Sequence, residues 1–307
     1  MKLLYYTDLH AMARRPKHRA DDYVRAIMAK LREIYQIAAD EAVDFVLFGG
    51  DFFDKHRIYS YPLITELMEA VISADVDTMA VIGQHDLKGY NRGSYDASCL
   101  AFMEQWCPRW KTLWEPMKFE NGVTIVPCHC FDDLDEKISQ PPRGRGKKIL
   151  VAHKLLDKRR QPFPGFLCTS DYDWPYNLVL SGDLHSGYKK HKIGRTILCN
   201  PGSVGRPKAD DMERMPKVLI VEVEKSINVR SVKLACAAPF EDIYAESALD
   251  GLDEPEQIDA DEFVDGISSV QSPAVNVFEM VQHVSTDEHD RDVLDYIASK
   301  RPSEDVG

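Results

Sequence analysis

Five short clusters in this chain carry the residue types that hold metal ions. They are Asp8-Leu9-His10, Gly50-Asp51-Phe52-Phe53-Asp54, Gly83-Gln84-His85-Asp86, His153, and Gly182-Asp183-Leu184-His185. Carboxylates and imidazoles together suit borderline divalent ions such as manganese, iron or zinc more than magnesium. Glycines within the clusters permit sharp turns and close approach of the backbone. Seven residues of ligand type stand out: Asp8, His10, Asp51, Gln84, His153, Asp183 and His185. With so many, one carboxylate can bridge two ions. Two ions roughly 3.5–4 Å apart can activate a water and clamp a phosphoryl group. A single Asp-x-His or a lone buried histidine carries little weight. Five clusters in a common position are far more specific.

That position is the end of a strand. Lys2–Tyr6 and Phe45–Phe48 are apolar runs of strand length, and 78–82 reads as a third strand. Between them, 21–39 has Tyr23, Val24, Ile27, Met28, Leu31, Ile34, Tyr35 and Ala38 at helical spacing, with an aspartate available as N-cap, and 62–72 reads as a second helix. Strand, helix, strand, helix, strand implies a parallel α/β start. Runs at 123–126, 149–152 and 178–180 read as buried strands, and 196–199, 218–223 and 228–234 as a further, antiparallel set. The expected architecture is α/β, a two-sheet β-sandwich flanked by helices. In an open parallel sheet the loops after the strands share one edge, so clusters far apart in sequence can converge there.

Composition sets the outer limits. No apolar run approaches the roughly 20 residues needed to span a bilayer, and Met1 to Tyr6 is too short for a signal peptide. The expectation is a soluble, cytoplasmic protein without a membrane partner. Seven cysteines, an odd number, read as free thiols. Cys128-His129-Cys130 ends an apolar run and has no second pair at zinc-ribbon spacing, so it is expected to be structural. The net charge is −12, but residues 236–307 hold 19 acids against 3 bases, which leaves 1–235 with a net of +4. The part carrying the clusters therefore tolerates a polyanionic substrate. Basic residues gather in loops, three groups of them beside the clusters. Arg159, Arg160, Lys189, Lys190 and Arg206 are the expected contacts to a DNA or RNA backbone. Two regions are expected: a catalytic domain over 1–235 and a small acidic C-terminal extension over 236–307 that serves for capping or partner binding.

The order Asp-x-His, Gly-Asp-x-x-Asp, Gly-Gln-His-Asp, His and Gly-Asp-x-His, with Asn200-Pro201-Gly202-Ser203 behind it, resembles the calcineurin-like metallophosphoesterase superfamily over about residues 1–225. The longer runs Gly83 to Leu87 and Asn200 to Arg206 look most like its SbcD-type DNA-repair exonuclease branch, in particular phage-encoded relatives. The resemblance implies one metal at Asp8, His10, Asp51 and His185. It implies a second at Asp51, Gln84, His153 and Asp183. His85 would be the general acid or phosphate-binding imidazole. Asp54 would orient a ligand or His85, and Asp86 is either a similar helper or an exposed turn residue. Two departures fall on the second metal: Gln84 stands where the family has Asn, and Asp183 where it has His. The protein ligands then carry three negative charges against four on the metals. The second position becomes harder and richer in oxygen, which favours manganese, with magnesium next, over zinc.

The implied activity is two-metal hydrolysis of phosphodiesters, most specifically by a DNA exonuclease or endonuclease in repair or recombination. A small-molecule phosphatase or cyclic-nucleotide phosphodiesterase uses the same core, and a non-catalytic subunit with an altered second site is a rival of another class. The insertion between His85 and His153 and the stretch past 235 exceed a minimal phosphatase core and favour the nuclease. The same branch implies DNA and a coiled-coil ATPase subunit of SbcC type as partners, and a second copy of the chain is a further candidate. Residues 290–298, with Val293, Leu294 and Ile297 on one face, read as a docking helix or an ordinary terminal helix.

Overall fold

The computed structural model describes residues 1–162 and 165–245. The strands are β1 (Lys2–Tyr6), β2 (Phe45–Phe48), β3 (Thr78–Ala80), β4 (Trp110–Thr112), β5 (Met117–Lys118), β6 (Thr124–Cys128), β7 (Lys148–Ala152), β8 (Leu156–Asp157), β9 (Leu167–Cys168), β10 (Leu178–Ser181), β11 (Tyr188–Ile193), β12 (Thr196–Asn200), β13 (Lys217–Val223) and β14 (Ile227–Lys233). The helices are α1 (Tyr23–Asp40), α2 (Tyr61–Ile72), α3 (Cys99–Trp106), α4 (Leu134–Ser139), α5 (Ala209–Met212) and α6 (Phe240–Ile243). None of the described helices is long and apolar enough to cross a membrane. The expected segments 249–265, 275–284 and 290–298 lie outside the described residues.

Two six-stranded sheets form a sandwich, ordered β14-β13-β1-β2-β3-β4 and β11-β12-β10-β7-β6-β5. β1 to β4 pair in parallel, as do β6, β7, β10 and β12. Alternation along each strand divides the core. Leu3, Tyr5 and Leu47 meet Ile125, Val151 and Leu180 between the sheets. Leu4, Tyr6, Val46 and Phe48 pack instead with the buried stripe of α1, Tyr23, Ile27, Leu31, Ile34 and Ala38. Val126, Leu150 and Val179 pack with Leu134 of α4 and with Trp174 and Tyr176. Parallel strands covered on both faces must be apolar throughout, hence the unbroken run Phe45–Phe48.

Helix starts follow local chemistry. Asp22 caps α1 by accepting the Arg25 N–H, and Pro62 occupies the first turn of α2, where its missing N–H costs nothing. One topological expectation is corrected. The segments at 196–199, 218–223 and 228–234 are not one antiparallel set. β12 runs parallel to β10 in the second sheet, while β13 and β14 form an antiparallel hairpin on the edge of β1 in the first. The chain also stays on the same body past residue 235: Ala237 joins the core beside α1, the Ala20 N–H bonds the Ile243 carbonyl, and the Ala245 N–H bonds that of His18.

Candidate metal centre

The loops that leave β1 and β2 are zipped together by the backbone. The N–H groups of Asp8, His10 and Ala11 donate to the carbonyls of Gly50, Asp51 and Phe52 at 3.0, 3.1 and 2.8 Å. Leu9, Phe52 and Phe53 are fully buried and anchor these loops in the core, so the residues between them turn toward the opposite side. The turning requires uncommon backbone. Asp8, His10, Asp51 and Asp183 all have left-handed φ, at 54°, 48°, 57° and 68°. Each costs roughly 1–2 kcal/mol in a residue with a side chain, and such strain collects where function demands a geometry. Gly83 permits the closest approach: a Cβ there would collide with the Asp51 carboxylate.

Three groups of ligand-type side chains result, each with donor atoms mutually within 4.8 Å: Asp8, His10 and His185; His10, Asp51 and His85; and Asp8, Asp51 and His153. Asp51 Oδ2 lies 3.3 Å from His153 Nε2 and 3.8 Å from His10 Nε2, between two of the groups. The Nε2 atoms of His10 and His185 face each other at 3.0 Å. Asp51 Oδ2 and His153 Nε2 are buried and have no hydrogen-bond partner. Buried groups of this polarity are normally paired or bound to a cation, so the arrangement fits divalent metal ions.

Second contacts fix which ring nitrogen is offered. His153 Nδ1 is 2.7 Å from the Gly49 carbonyl, which makes Nδ1 the protonated nitrogen and leaves Nε2 as the donor to a metal. His185 Nδ1 is 2.7 Å from Asp211 Oδ2, with the same consequence. Burial raises the Asp8 carboxyl above its usual range. Burial also works against the Asp51 carboxylate, but the imidazoles of His153 and His10 outweigh it and hold the group low. Conversely, burial disfavours charge on His153, and the carboxylates of Asp51, Asp8 and Asp183 more than reverse this.

Gln84 and Asp183 stand together, and Asp183 belongs to none of the three groups. Gln84 Nε2 donates to Asp183 Oδ1 at 2.6 Å, and the Asp183 N–H reaches both carboxylate oxygens of Asp8 at 3.2 Å. With His153 they help to line a cavity of about 180 Å³. Offering Oε1 to a metal would require a half-turn of the Gln84 amide. His85 is placed by its N–H to Asp51 Oδ1 (2.8 Å) and by Nδ1 to the Asp54 carbonyl (2.8 Å). Asp54 thus meets His85 through its backbone, while its carboxylate lies 3.7 Å from His10 Nδ1.

Sequence reasoning undervalued Asp86. It is not an exposed turn residue but is 1% exposed, and it accepts four backbone N–H groups: Asp51 and Gly83 on Oδ2, Phe52 and Phe53 on Oδ1. Burial and the nearby Asp51 charge push its pKa up to about 7. Its place in the Gly-Gln-His-Asp run was the available signal. Asp211, which holds His185, had none. Ser203 and Arg214 support the same loops: Ser203 Oγ donates to the Asp8 carbonyl, and the Arg214 guanidinium to the carbonyls of Pro201, His185 and Ser203. The expected structural role of Cys128-His129-Cys130 is visible: all seven cysteines are free, and His129 Nδ1 accepts the Ile82 N–H at 3.0 Å, just ahead of Gly83.

The basic residues divide. Arg159 and Arg160 are exposed on the loop between β8 and β9, although Arg160 is engaged with both oxygens of Asp171. Lys189 and Lys190 lie on β11, an edge strand, where lysines also guard against strand pairing; Lys190 Nζ donates to the Val229 carbonyl. Arg206 must be withdrawn as a nucleic-acid contact. It is fully buried, and its guanidinium donates to the carbonyls of Met212, Arg214 and Ala238, tying the chain behind the centre to the segment after β14.

No curated protein matches the chain. Solved structures share the fold at low identity. A dimetal phosphatase from Danio rerio aligns over 76% of this chain and 96% of its own at 11% identity, with a TM-score of 0.50. The calcineurin-like phosphoesterase YfkN from Bacillus subtilis aligns over 97% and 98% at 12% identity (TM-score 0.47), and the E. coli phosphoesterase YfcE over 81% and 100% at 14% (TM-score 0.40). The family model for calcineurin-like phosphoesterases matches residues 1–187, a span that contains all five clusters. On that match, and with its ligand-type side chains gathered at the ends of the parallel strands, the chain belongs to the calcineurin-like phosphoesterase family.

Proposed function

We propose that this phosphoesterase is a two-metal nuclease that hydrolyses phosphodiesters in DNA. The observation that carries the reading is Asp51: a buried carboxylate with one unpartnered oxygen, set between the histidines of two ligand groups. Asp8, His10, Asp51 and His185 would hold one ion, and Asp51, Gln84, His153 and Asp183 the other, with the oxygen-rich second set suiting manganese. Bound there, the ions would supply an activated water and screen the charge of the phosphodiester. The protein's part is positioning and proton transfer. His85, whose Nδ1 is held by the Asp54 carbonyl, keeps Nε2 for a phosphoryl oxygen or for protonating the leaving oxygen. Asp86 and the zipped loops fix Asp51, while Asp211 and Gly49 fix the ring faces of His185 and His153.

DNA is favoured over a small phosphate ester because the loop whose two ends line the cavity, at Leu155 and Leu167, also exposes Arg159 and Arg160. An SbcC-type ATPase remains the partner that this reading would bring. The test is a manganese-dependent activity panel on linear DNA, nicked DNA, a simple phosphodiester and a phosphomonoester. DNA turnover that disappears in Asp51→Asn, together with loss of bound manganese, is expected. Hydrolysis of the monoester without any cleavage of DNA would refute the nuclease.

A further inference from the structure

The cavity beside the candidate metal centre has a mixed lining. Gln84, His153, Lys154 and Asp183 are its polar lining residues, and Tyr90, Leu155 and Leu167 its large apolar ones. At about 180 Å³ it is smaller than the roughly 300–1,000 Å³ of a pocket for a drug-sized ligand. It has room for one ring system.

Tyr90 is the unusual wall. It is 63% exposed, so packing in the core does not explain an aromatic residue here. Its φ of 59° follows Gly89 at 55°, two left-handed residues in succession, and the second is bulky. A bulky residue in this region is a genuine outlier and needs a compensating reason. Its phenol also feels the centre. Burial first, then the charges of Asp51 and Asp183, raise the hydroxyl's pKa, and Tyr90 lines the same cavity as Gln84, His153 and Asp183.

We propose that this cavity is a nucleoside subsite, in which the Tyr90 ring stacks on the base adjoining the scissile phosphate. This rests on the reading of the centre as a nuclease and specifies what it grips beside the phosphate. Every base offers a π-face, so such a platform adds affinity without sequence preference. Leu155 and Leu167 would cover the base from other sides, and no base-edge donor or acceptor is required.

The experiment uses the full chain loaded with manganese and three substrates: dithymidine monophosphate and its two analogues in which one base is replaced by hydrogen. Products are separated chromatographically and kcat/KM compared. Wild type should favour the intact dinucleotide over one of the analogues by roughly ten- to hundredfold, the range expected for one stacked base. In Tyr90→Ala that ratio should fall toward one, while Tyr90→Phe and Tyr90→Trp keep it. Equal losses on all three substrates in Tyr90→Ala would overturn the subsite, as would a Tyr90→Phe variant behaving like Tyr90→Ala, which would assign the hydroxyl instead. Wild type that cleaves none of the three but hydrolyses a phosphomonoester would remove the nuclease reading and the subsite with it. Wild type that cleaves all three equally would retain the nuclease and remove the subsite alone.

Discussion

Replacing Asp86 should damage this protein twice, in stability and in metal binding. The carboxylate accepts four buried N–H groups at 2.9 to 3.2 Å. Asp86→Ala leaves all four without a partner, and each orphaned donor costs about 1–3 kcal/mol. Removal of a buried acid whose pKa is pushed up to about 7 offsets part of this, because the charged form was itself unfavourable there. The net loss should be about 3–5 kcal/mol, a large share of the roughly 5–15 kcal/mol that holds a domain folded. Asp86→Asn separates size from chemistry. Its amide nitrogen must face two of the four donors, so about 2–4 kcal/mol should still be lost. Urea unfolding of the manganese-loaded protein measures the first effect, and metal stoichiometry of the folded variants the second, since two of the N–H groups belong to Asp51 and Gly83. An Asp86→Asn variant within about 1 kcal/mol of wild type, with full metal occupancy, would refute the claim that this carboxylate organises the centre.

Three further outcomes are expected. Gln84 and Asp183 bond each other directly, so Gln84→Asn and Asp183→His should each lower manganese affinity and turnover, and the double variant should recover part of both; independent gains from the single changes would mean that the two are not matched. His129 is buried with its pKa lowered to about 4, so between pH 6.5 and 4 the unfolded chain binds the extra proton and stability must fall as the pH drops, by up to about 3 kcal/mol. His129→Gln, which keeps an acceptor for the Ile82 N–H, should flatten that part of the urea-midpoint profile, and an unchanged slope would assign it to other groups. Arg159 and Arg160 changed together to Ala should weaken DNA binding for all sequences and reduce the salt slope by up to about 2, whereas Arg206→Ala should lower the unfolding midpoint and leave the salt slope alone, since the side chain is enclosed.

The features of this protein that depend on local pattern can be read from its residues alone. An apolar run as short as Phe45–Phe48, followed by Gly49-Gly50, reads as a strand covered on both faces, and the polar cluster directly behind it as a strand-end loop. The α1 stripe with Asp22 before it likewise specified a helix and its start to within two residues. Hence the α/β sandwich and the collection of Asp8, His10, Asp51, His153 and His185 at one edge were legible in the sequence. What lacked a local signature was decided by tertiary structure. β11 and the two-residue strands β8 and β9 are too polar or too short to carry a period, and β13 beside β1 is a pairing across some two hundred residues. Burial of charge is equally nonlocal. Arg206 and Arg159 look alike in sequence, yet one is sealed among three carbonyls and the other is exposed, because the segment after β14 folds over the first and, among the described residues, none encloses the second. Asp86 and Asp211 acquired their roles in the same way, from N–H groups and an imidazole brought to them by distant chain. The four left-handed backbones at Asp8, His10, Asp51 and Asp183 are strained only because the packed loops on either side hold them so, and that balance exists in the folded molecule alone.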